Sequence, residues 1–127
     1  MPDYTLTNLR EIDDSAADNA DFEARFGRKH LNSEHLGVSF FRYGPGHRSG
    51  RGHSHREQEE VYVVVNGSGR VKLDDEIVEL RQWDTIRVAP QTVRAFEGGA
   101  DGLEVIAIGA DRPEGGDGVP VPDFWID

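Results

Sequence analysis

The chain has 127 residues, a common size for one domain, and its 24 acidic against 14 basic side chains give a formal net charge of −10. A field of that sign repels the phosphates of nucleic acids and of acidic lipids, so neither is an expected partner. The absence of cysteine excludes disulfides, thiolate catalysis and cysteine-based metal sites. No apolar run approaches the roughly 20 residues of a membrane-spanning helix, and residues 1–4 do not resemble a secretory leader. We therefore expect a cytoplasmic protein without a membrane partner.

The first third of the chain has weak patterning. Residues 3–12 alternate weakly between apolar and polar side chains, and residues 13–20 suit either a short helix or a loop. Phe22 and Phe26 are expected to pack against the body of the domain. Residues 36–43 form a better strand, which a glycine–proline–glycine breaker follows.

Short apolar runs separated by turn residues fill most of the remaining chain. They predict strands at residues 61–65, 70–73, 76–80, 85–89, 93–96 and 103–108. The glycines at 67–69 predict a turn and those at 98–99 predict a break. From residue 109 onward, glycine, proline and aspartate predict a tail. Strands at short, regular spacing with no long helical period indicate an all-β sandwich or barrel.

The most informative segment precedes the strand at 61–65. His53 and His55 stand two residues apart, and on an extended strand such positions point to the same face. Glu60 opens the next strand and can reach both imidazoles from there. Two histidines and one carboxylate form the facial triad typical of non-haem iron, and the same set suits other divalent metals. The other histidines are isolated and are expected on the surface or in loops: His30, His35 and His47.

This segment resembles the first motif of the cupin superfamily. The motif consists of a glycine, a spacer, His-x-His, a glutamate and a further glycine, here Gly46, His53, His55, Glu60 and Gly67. The resemblance covers about residues 36–110. It implies an all-β fold with a single small jelly-roll β-barrel. It also implies one domain over residues 1–127, with an irregular N-terminal segment and a C-terminal tail.

The second cupin motif is eroded, and its most consequential departure is Arg94, which stands where the family has a fourth metal ligand, a histidine. A guanidinium stays protonated and has no lone pair for a metal. In one outcome, His53, His55 and Glu60 still hold iron, manganese, nickel or zinc, while Arg94 turns aside or grips an anionic ligand. In the other, Arg94 pairs with Glu60 and the metal site is lost.

Strand alternation nominates the residues around this site. Tyr62 shares a strand face with the predicted carboxylate ligand, and Phe96 shares one with Arg94, so both are candidate cavity walls or core residues. Phe40 and Arg42 alternate together on the strand at 36–43, and Arg42 is either a second cation of the site or a surface residue. The predicted ligand-binding residues are Arg94, Tyr62, Phe96, Phe40 and Arg42.

Three functional hypotheses follow. The first is a binding protein that holds a small, anionic or sugar-like molecule in the barrel. The second, which the resemblance implies, is a metal-dependent dioxygenase, isomerase or epimerase. The third is a metal-free barrel with an internal Glu60–Arg94 ion pair. No Gly-x-Ser-x-Gly segment supports a hydrolase.

The resemblance also implies a homodimer, because small cupins often pair. Two segments are candidates for exchange across such an interface, since strand edges invite pairing and exposed aromatic clusters are unusual. They are residues 3–9 and the apolar end formed by Phe124, Trp125 and Ile126.

Overall fold

The computed structural model describes residues 1–125 and confirms the predicted all-β fold. Its strands in chain order are β1 (Phe22–Phe26), β2 (Gly37–Tyr43), β3 (Arg51–His55), β4 (Glu60–Leu73), β5 (Glu76–Arg81), β6 (Thr85–Val88), β7 (Arg94–Gly109) and β8 (Gly118–Pro122). The short helix α1 (Arg28–Leu31) follows β1. Within residues 1–125, no helix is long and apolar enough to cross a membrane.

The strands pair in antiparallel fashion and form one sheet that curls into the jelly-roll barrel. One path through the sheet runs β1-β2-β7-β3-β8, and β4 additionally pairs with β5, β6 and β7. The strand β7 is central because its later half pairs with β2 on one side and with β4 on the other. Ala107, for example, lies opposite both Ser39 of β2 and Tyr62 of β4. Because β7 pairs with both β2 and β4, the sheet curls, and these strands surround a common interior.

The hydrophobic core lies inside this curled sheet. It consists of apolar side chains that alternate along β4 and β7, joined by single residues from neighbouring strands. The buried members are Tyr43, Tyr62, Val64, Val71, Leu80, Val88, Phe96, Leu103, Val105 and Ala107. Alternation therefore predicts correctly which faces of β4 and β7 are inside.

The strands β4 and β7 are each continuous where the sequence predicted two strands. Gly67 has a φ of +76°, and the register between β4 and β7 shifts on both sides of it, so the expected turn is a pair of β-bulges. A Cβ on Gly69 would lie 2.1 Å from the Glu97 carbonyl oxygen, and one on Gly98 would lie 2.3 Å from that of Gly44. These glycines mark close approaches between backbones, which sequence alone does not distinguish from turns.

The N-terminal residues form an irregular cover over the outer face of β2. Residues 3–12 contain no strand, and residues 13–20 form turns rather than a helix. Ile12 is buried, and the Arg10 guanidinium lies 4.8 Å from the centre of the Phe40 ring. Tyr4 and Leu6 are exposed, so their exchange with a second copy stays a prediction.

The C-terminal segment returns to the barrel. It contributes β8, which the sequence predicted only as tail, and then places two aromatic rings against basic side chains of the barrel. The Lys72 ammonium lies 4.0 Å from the centre of the Phe124 ring, and the Arg48 guanidinium lies 4.4 Å from Trp125. Both distances suit cation–π contacts. Ile126, the third residue of the predicted apolar end, lies outside the described residues.

A buried carboxylate, Glu23, fixes the cover to the barrel. It accepts hydrogen bonds from Arg25 of its own strand and from Arg42 of β2, the latter at 3.0 Å, and the Arg10 guanidinium lies 3.7 Å away. Burial raises the pKa of Glu23, but the hydrogen bonds from the two arginines outweigh it and hold the pKa below its ordinary value.

This lowered pKa predicts a pH-dependent contribution to stability. The Glu23 carboxylate stabilises the fold fully above its unfolded pKa near 4.5, and that contribution is lost as the pH falls through the lower folded value. We expect Glu23→Gln to reduce the free energy of unfolding by about 1.5–3 kcal/mol at pH 7, and the difference from wild type to shrink below pH 4.5. Urea unfolding at several pH values measures it. Glu79→Gln, on an exposed position of β5, is the control. A difference that stayed constant down to pH 3 would contradict the ionic origin.

Candidate metal centre and ligand cavity

Three side chains from β3 and the start of β4 converge at one point in the barrel. His53 and His55 lie on the same face of β3, and their rings meet edge to face with centroids 5.0 Å apart. Glu60 Oε1 lies 3.1 Å from His55 Nε2 and 3.7 Å from His53 Nε2. One donor atom from each residue lies within 4.8 Å of the other two. The spacing of the motif therefore brings the predicted triad together.

A fourth residue, Asp117, is hydrogen-bonded to the triad through the ring nitrogen of His55 that points away from Glu60. It lies just before β8, which pairs with β3 so that His55 faces Gly118. Asp117 Oδ1 lies 2.8 Å from His55 Nδ1, and its Oδ2 accepts the backbone N–H groups of Glu57 and Gln58, each at 2.8 Å. Because an ionised carboxylate only accepts, Nδ1 carries a proton and Nε2 faces Glu60. Burial raises the pKa of Asp117, but these hydrogen bonds outweigh it and bring the pKa to about 2.

The carboxylate of Glu60 is ionised although its side chain is only 14% exposed. Burial raises its pKa, but the His53 ring 3.7 Å away and the hydrogen bonds with His55 and Tyr62 more than reverse that effect and hold the pKa far below the ordinary value. Tyr62 donates its hydroxyl to Glu60 Oε1. Burial raises the pKa of Tyr62 well above 10, and the Glu60 charge adds to that rise, so the phenol keeps its proton.

The site holds the pKa of His55 above its ordinary value. Burial lowers this pKa, but the hydrogen bonds to Glu60 and Asp117 raise it by more. A metal that binds Nε2 competes with protonation of the imidazole, so the raised pKa predicts a metal affinity that depends on pH.

The guanidinium of Arg94 does not pair with Glu60. Arg94 opens β7, is completely buried, and donates to the carbonyls of Val88 and Ala89, at 3.4 and 3.0 Å, and of Pro90 at 3.5 Å. Within residues 1–125, no ion pair joins it to Glu60 and it is not among the side chains that line the cavity. The hypothesis of a Glu60–Arg94 ion pair is therefore wrong. Burial leaves the guanidinium without water, so its two terminal nitrogens donate to carbonyls at and just after the end of β6, while the buried Nε has no partner in the described part of the chain.

The triad opens into a cavity of about 640 Å³ inside the barrel. Tyr62 and Phe96, both predicted as walls, line this cavity. The side chains of β2 that line it are Ser39, Phe41 and Tyr43.

Phe40 and Arg42 do not line the cavity and lie on the opposite face of β2, beneath the N-terminal cover. The sequence-based assignment of these two residues to the site is therefore corrected. Both faces of β2 carry aromatic residues because one meets the cavity and the other meets the cover. Alternation alone does not distinguish the two faces.

The cavity is rich in positive charge for such an acidic protein. Its lining includes four arginines and three histidines, whereas Glu60 is the one carboxylate that lines it within the described residues. The arginines are Arg28, Arg48, Arg51 and Arg112. Arg28 donates to the Ala110 carbonyl at 3.1 Å, and Arg48 pairs with Glu97 at 2.8 Å.

Sequence reasoning missed three residues of the site. Arg51 precedes the two histidines on β3 at the same two-residue interval, so alternation was a signal that could have found it. His47, expected at the surface, lines the cavity and stacks on Phe22 with ring centroids 6.0 Å apart. Asp117 had no local signal, because its role depends on the pairing of β8 with β3.

The donor set fits a divalent transition metal. Two imidazole nitrogens and one ionised carboxylate converge, and Asp117 orients one of the imidazoles, an arrangement common among metal-ligating histidines. Arg94 supplies a buried positive charge, but its guanidinium is directed towards backbone carbonyls. His53, His55 and Glu60 are thus able to hold the metal that such a triad implies.

The barrel and the triad together define a cupin, and the chain belongs to the cupin domain family. The family model for the cupin domain matches residues 39–109, more than half of the chain. An uncharacterized protein of Methanocaldococcus jannaschii is 38% identical over 45 residues, which are 35% of this chain and 36% of that protein. The match thus spans about a third of the length of that curated relative.

Solved structures share the fold. A cupin protein from Bacteroides fragilis superposes with a TM-score of 0.71 at 20% identity, over 100% of this chain and 91% of that one. A sugar phosphate isomerase of the cupin superfamily from Silicibacter pomeroyi gives a TM-score of 0.70 at 19% identity, over 85% and 76% of the two chains. These likenesses establish the architecture, and function has to be argued from the site.

Proposed function

We propose that this protein binds a small anionic molecule in its barrel, at a divalent metal held by His53, His55 and Glu60. The observation that carries the proposal is the charge of the cavity. In a chain of net charge −10, the cavity wall combines four arginines and three histidines with one carboxylate. A concave site lined mainly by positive charges attracts anions and concentrates them next to the triad.

Arg51 is the best placed of these arginines to hold the anion. It lies on the same face of β3 as His53 and His55, and its side chain has no hydrogen bond or ion pair to another residue in the described part of the chain. An arginine offers a planar fork of donors that matches a carboxylate or a phosphate. The anion would therefore lie between Arg51 and the metal ligands.

The metal, when bound, would act as a Lewis acid that polarises an oxygen of the ligand. The chain's own residues prepare the place for it. Asp117 fixes the orientation of His55, and Tyr62 holds the Glu60 carboxylate by donating its hydroxyl to Oε1.

Metal binding is tested on purified protein reconstituted separately with iron, manganese, nickel and zinc. We expect about one equivalent of at least one metal per chain by elemental analysis, because the three donors already converge. His53→Ala should lose it, whereas His30→Ala, which removes an exposed histidine bonded to Asp13, should keep it. A wild-type protein that retained none of the four metals would contradict the proposal.

Anion binding is tested by thermal shift on the metal-loaded protein with succinate, 3-phenylpropanoate and glucose 6-phosphate. For each compound that stabilises the wild type, Arg51→Gln should weaken binding about tenfold, the loss expected for one charge-assisted hydrogen bond. Arg81→Gln, on an exposed position at the end of β5, is the matched control and should bind like wild type. Equal affinities in both variants would remove Arg51 as the anchor.

A metal-dependent enzyme, either a dioxygenase or an isomerase or epimerase, is the second candidate. The observation that favours it is the accessibility of the triad, since the His53 side chain is 43% exposed beside the cavity. A metal there would be reachable by a substrate. Oxygen uptake and proton exchange on bound anions, compared between wild type and His53→Ala, distinguish catalysis from binding alone.

A further inference from the structure

A continuous arc of aromatic rings runs along the wall of the cavity across β1, β2, β7 and β4. Neighbouring ring centroids along the arc are 5.6, 6.3, 5.2, 5.7 and 4.9 Å apart. Every ring lines the cavity, and in order the rings belong to Phe26, Phe41, Phe22, Tyr43, Phe96 and Tyr62. The last ring donates its hydroxyl to Glu60. The arc therefore leads directly to the metal ligands.

The outer half of this arc is less buried than its inner half. Tyr43, Phe96 and Tyr62 are buried members of the core cluster, but Phe22 and Phe41 are only partly buried and Phe26 is 52% exposed. Rings that face an open cavity keep apolar surface in contact with water. A ligand that covered this surface would gain about 25 cal/mol of binding free energy per Å² of apolar area buried. The outer rings thus present a partly exposed apolar surface to the cavity.

Most of the arc carries no free hydroxyl group. Four of its six rings are phenylalanines, and Tyr62 already donates its hydroxyl to Glu60. A sugar packed against the arc would gain no hydrogen bond from the phenylalanine rings, so that its hydroxyls would depend on polar residues elsewhere in the lining, such as Asn19 and Ser39. A flat apolar ring would instead pack edge to face or offset on the phenylalanines.

We infer that the ligand is an aromatic carboxylate, with its ring against this arc and its carboxylate towards Arg51 and the triad. The inference rests on the proposed function, which supplies the anionic end, and adds the apolar body. Phe41 stands at the middle of the outer half of the arc, in contact with both Phe22 and Phe26. It is therefore the ring whose loss should weaken recognition most.

Three anions test the inference by calorimetry on metal-loaded protein: 3-phenylpropanoate, 3-cyclohexylpropanoate and glucose 6-phosphate. The first two share a carboxylate and a six-membered ring and differ in aromaticity. We expect the phenyl acid to bind about three- to tenfold more tightly than the cyclohexyl acid, the range that aromatic pairs add beyond area burial. We expect glucose 6-phosphate to bind more weakly than either.

Two neighbouring residues of β2 provide matched variants. Phe41→Leu should bring the phenyl-to-cyclohexyl affinity ratio close to one. Phe40→Leu removes a ring of the same strand that faces the N-terminal cover, so it should leave the ratio unchanged even if it lowers the unfolding temperature. A ratio in wild type near one, or a ratio that Phe41→Leu leaves intact, overturns the inference.

The same experiment separates failure of the inference from failure of the proposed function. Tighter, Arg51-dependent binding of glucose 6-phosphate would overturn the aromatic ligand and preserve the anion site. Binding of none of the three anions to metal-loaded protein would overturn both. Tight binding of the phenyl acid that is lost in Arg51→Gln and in Phe41→Leu supports both.

Discussion

Asp117→Asn should lower the affinity of the protein for its metal by about 10- to 100-fold, the usual cost of removing a carboxylate that orients a metal-ligating histidine. The wild-type carboxylate accepts from His55 Nδ1 with one oxygen and from the N–H groups of Glu57 and Gln58 with the other. An amide has one acceptor oxygen, so its NH₂ group would face a donor on one of the two sides. The imidazole would then lose its fixed orientation or the backbone would lose its partner.

The variant should also unfold more easily, by about 1–3 kcal/mol, because a buried donor is left unpaired. Metal affinity is measured by competition with a chromogenic chelator, and stability by urea unfolding of the metal-free protein. Asp111→Asn makes the same change in the same segment, on an exposed carboxylate 3.2 Å from the exposed His35, and should match wild type in both. If Asp117→Asn lost stability but kept wild-type metal affinity, Asp117 would serve the fold alone.

Asp117 shows where local sequence reasoning ends. The segment from residue 109 onward contains many glycines, prolines and aspartates, and composition predicts a tail. The return of the chain as β8 beside β3 is a contact across more than 60 positions, in which Val119 faces Ser54 and Gly118 faces His55. Nothing in the local pattern specifies such a pairing, because the pairing partner lies elsewhere in the chain.

The triad was predictable because its geometry is local. The two-residue interval between His53 and His55 places both on one face of any strand, and the motif spacing puts Glu60 at the start of the next. The barrel was predictable from short apolar runs and from the resemblance of this segment to a cupin motif. The bulges at Gly67 and the continuity of β7 were not predictable, since a glycine that permits a close backbone approach resembles a glycine that permits a turn.

The sequence predicted the wrong arginines as the positive charges of the cavity, because it does not show which arginines are already paired elsewhere. Alternation nominated Arg42, but the N-terminal cover adds a second buried face to β2, and Arg42 pairs there with Glu23 at 3.0 Å. The motif nominated Arg94, but its terminal nitrogens donate to the carbonyls of residues 88–90. Arg51 lines the cavity without a described partner. The charge of a cavity thus depends on which cations are already paired, and pairing is a property of the fold.

Arg94→Met should strengthen metal binding while it weakens the fold. The guanidinium is fully buried, and its charge acts on the site, since it opposes protonation of His55 and favours ionisation of Tyr62. A neutral side chain of similar length removes the repulsion of a divalent ion. At an effective dielectric of about 20, charges several ångströms apart interact by about 1–4 kcal/mol, so we expect the metal affinity to rise by about tenfold.

The same variant should lose about 1–3 kcal/mol of unfolding free energy, because the carbonyls of Val88, Ala89 and Pro90 lose their donor. Metal affinity, anion affinity and urea unfolding are compared with Arg81→Met, which changes an exposed arginine of β5. Anion affinity should fall less than in Arg51→Gln. If Arg94→Met instead abolished anion binding and left metal affinity unchanged, Arg94 would be the anion anchor, and the positive charge beside the triad would serve the ligand rather than the carbonyls that it contacts.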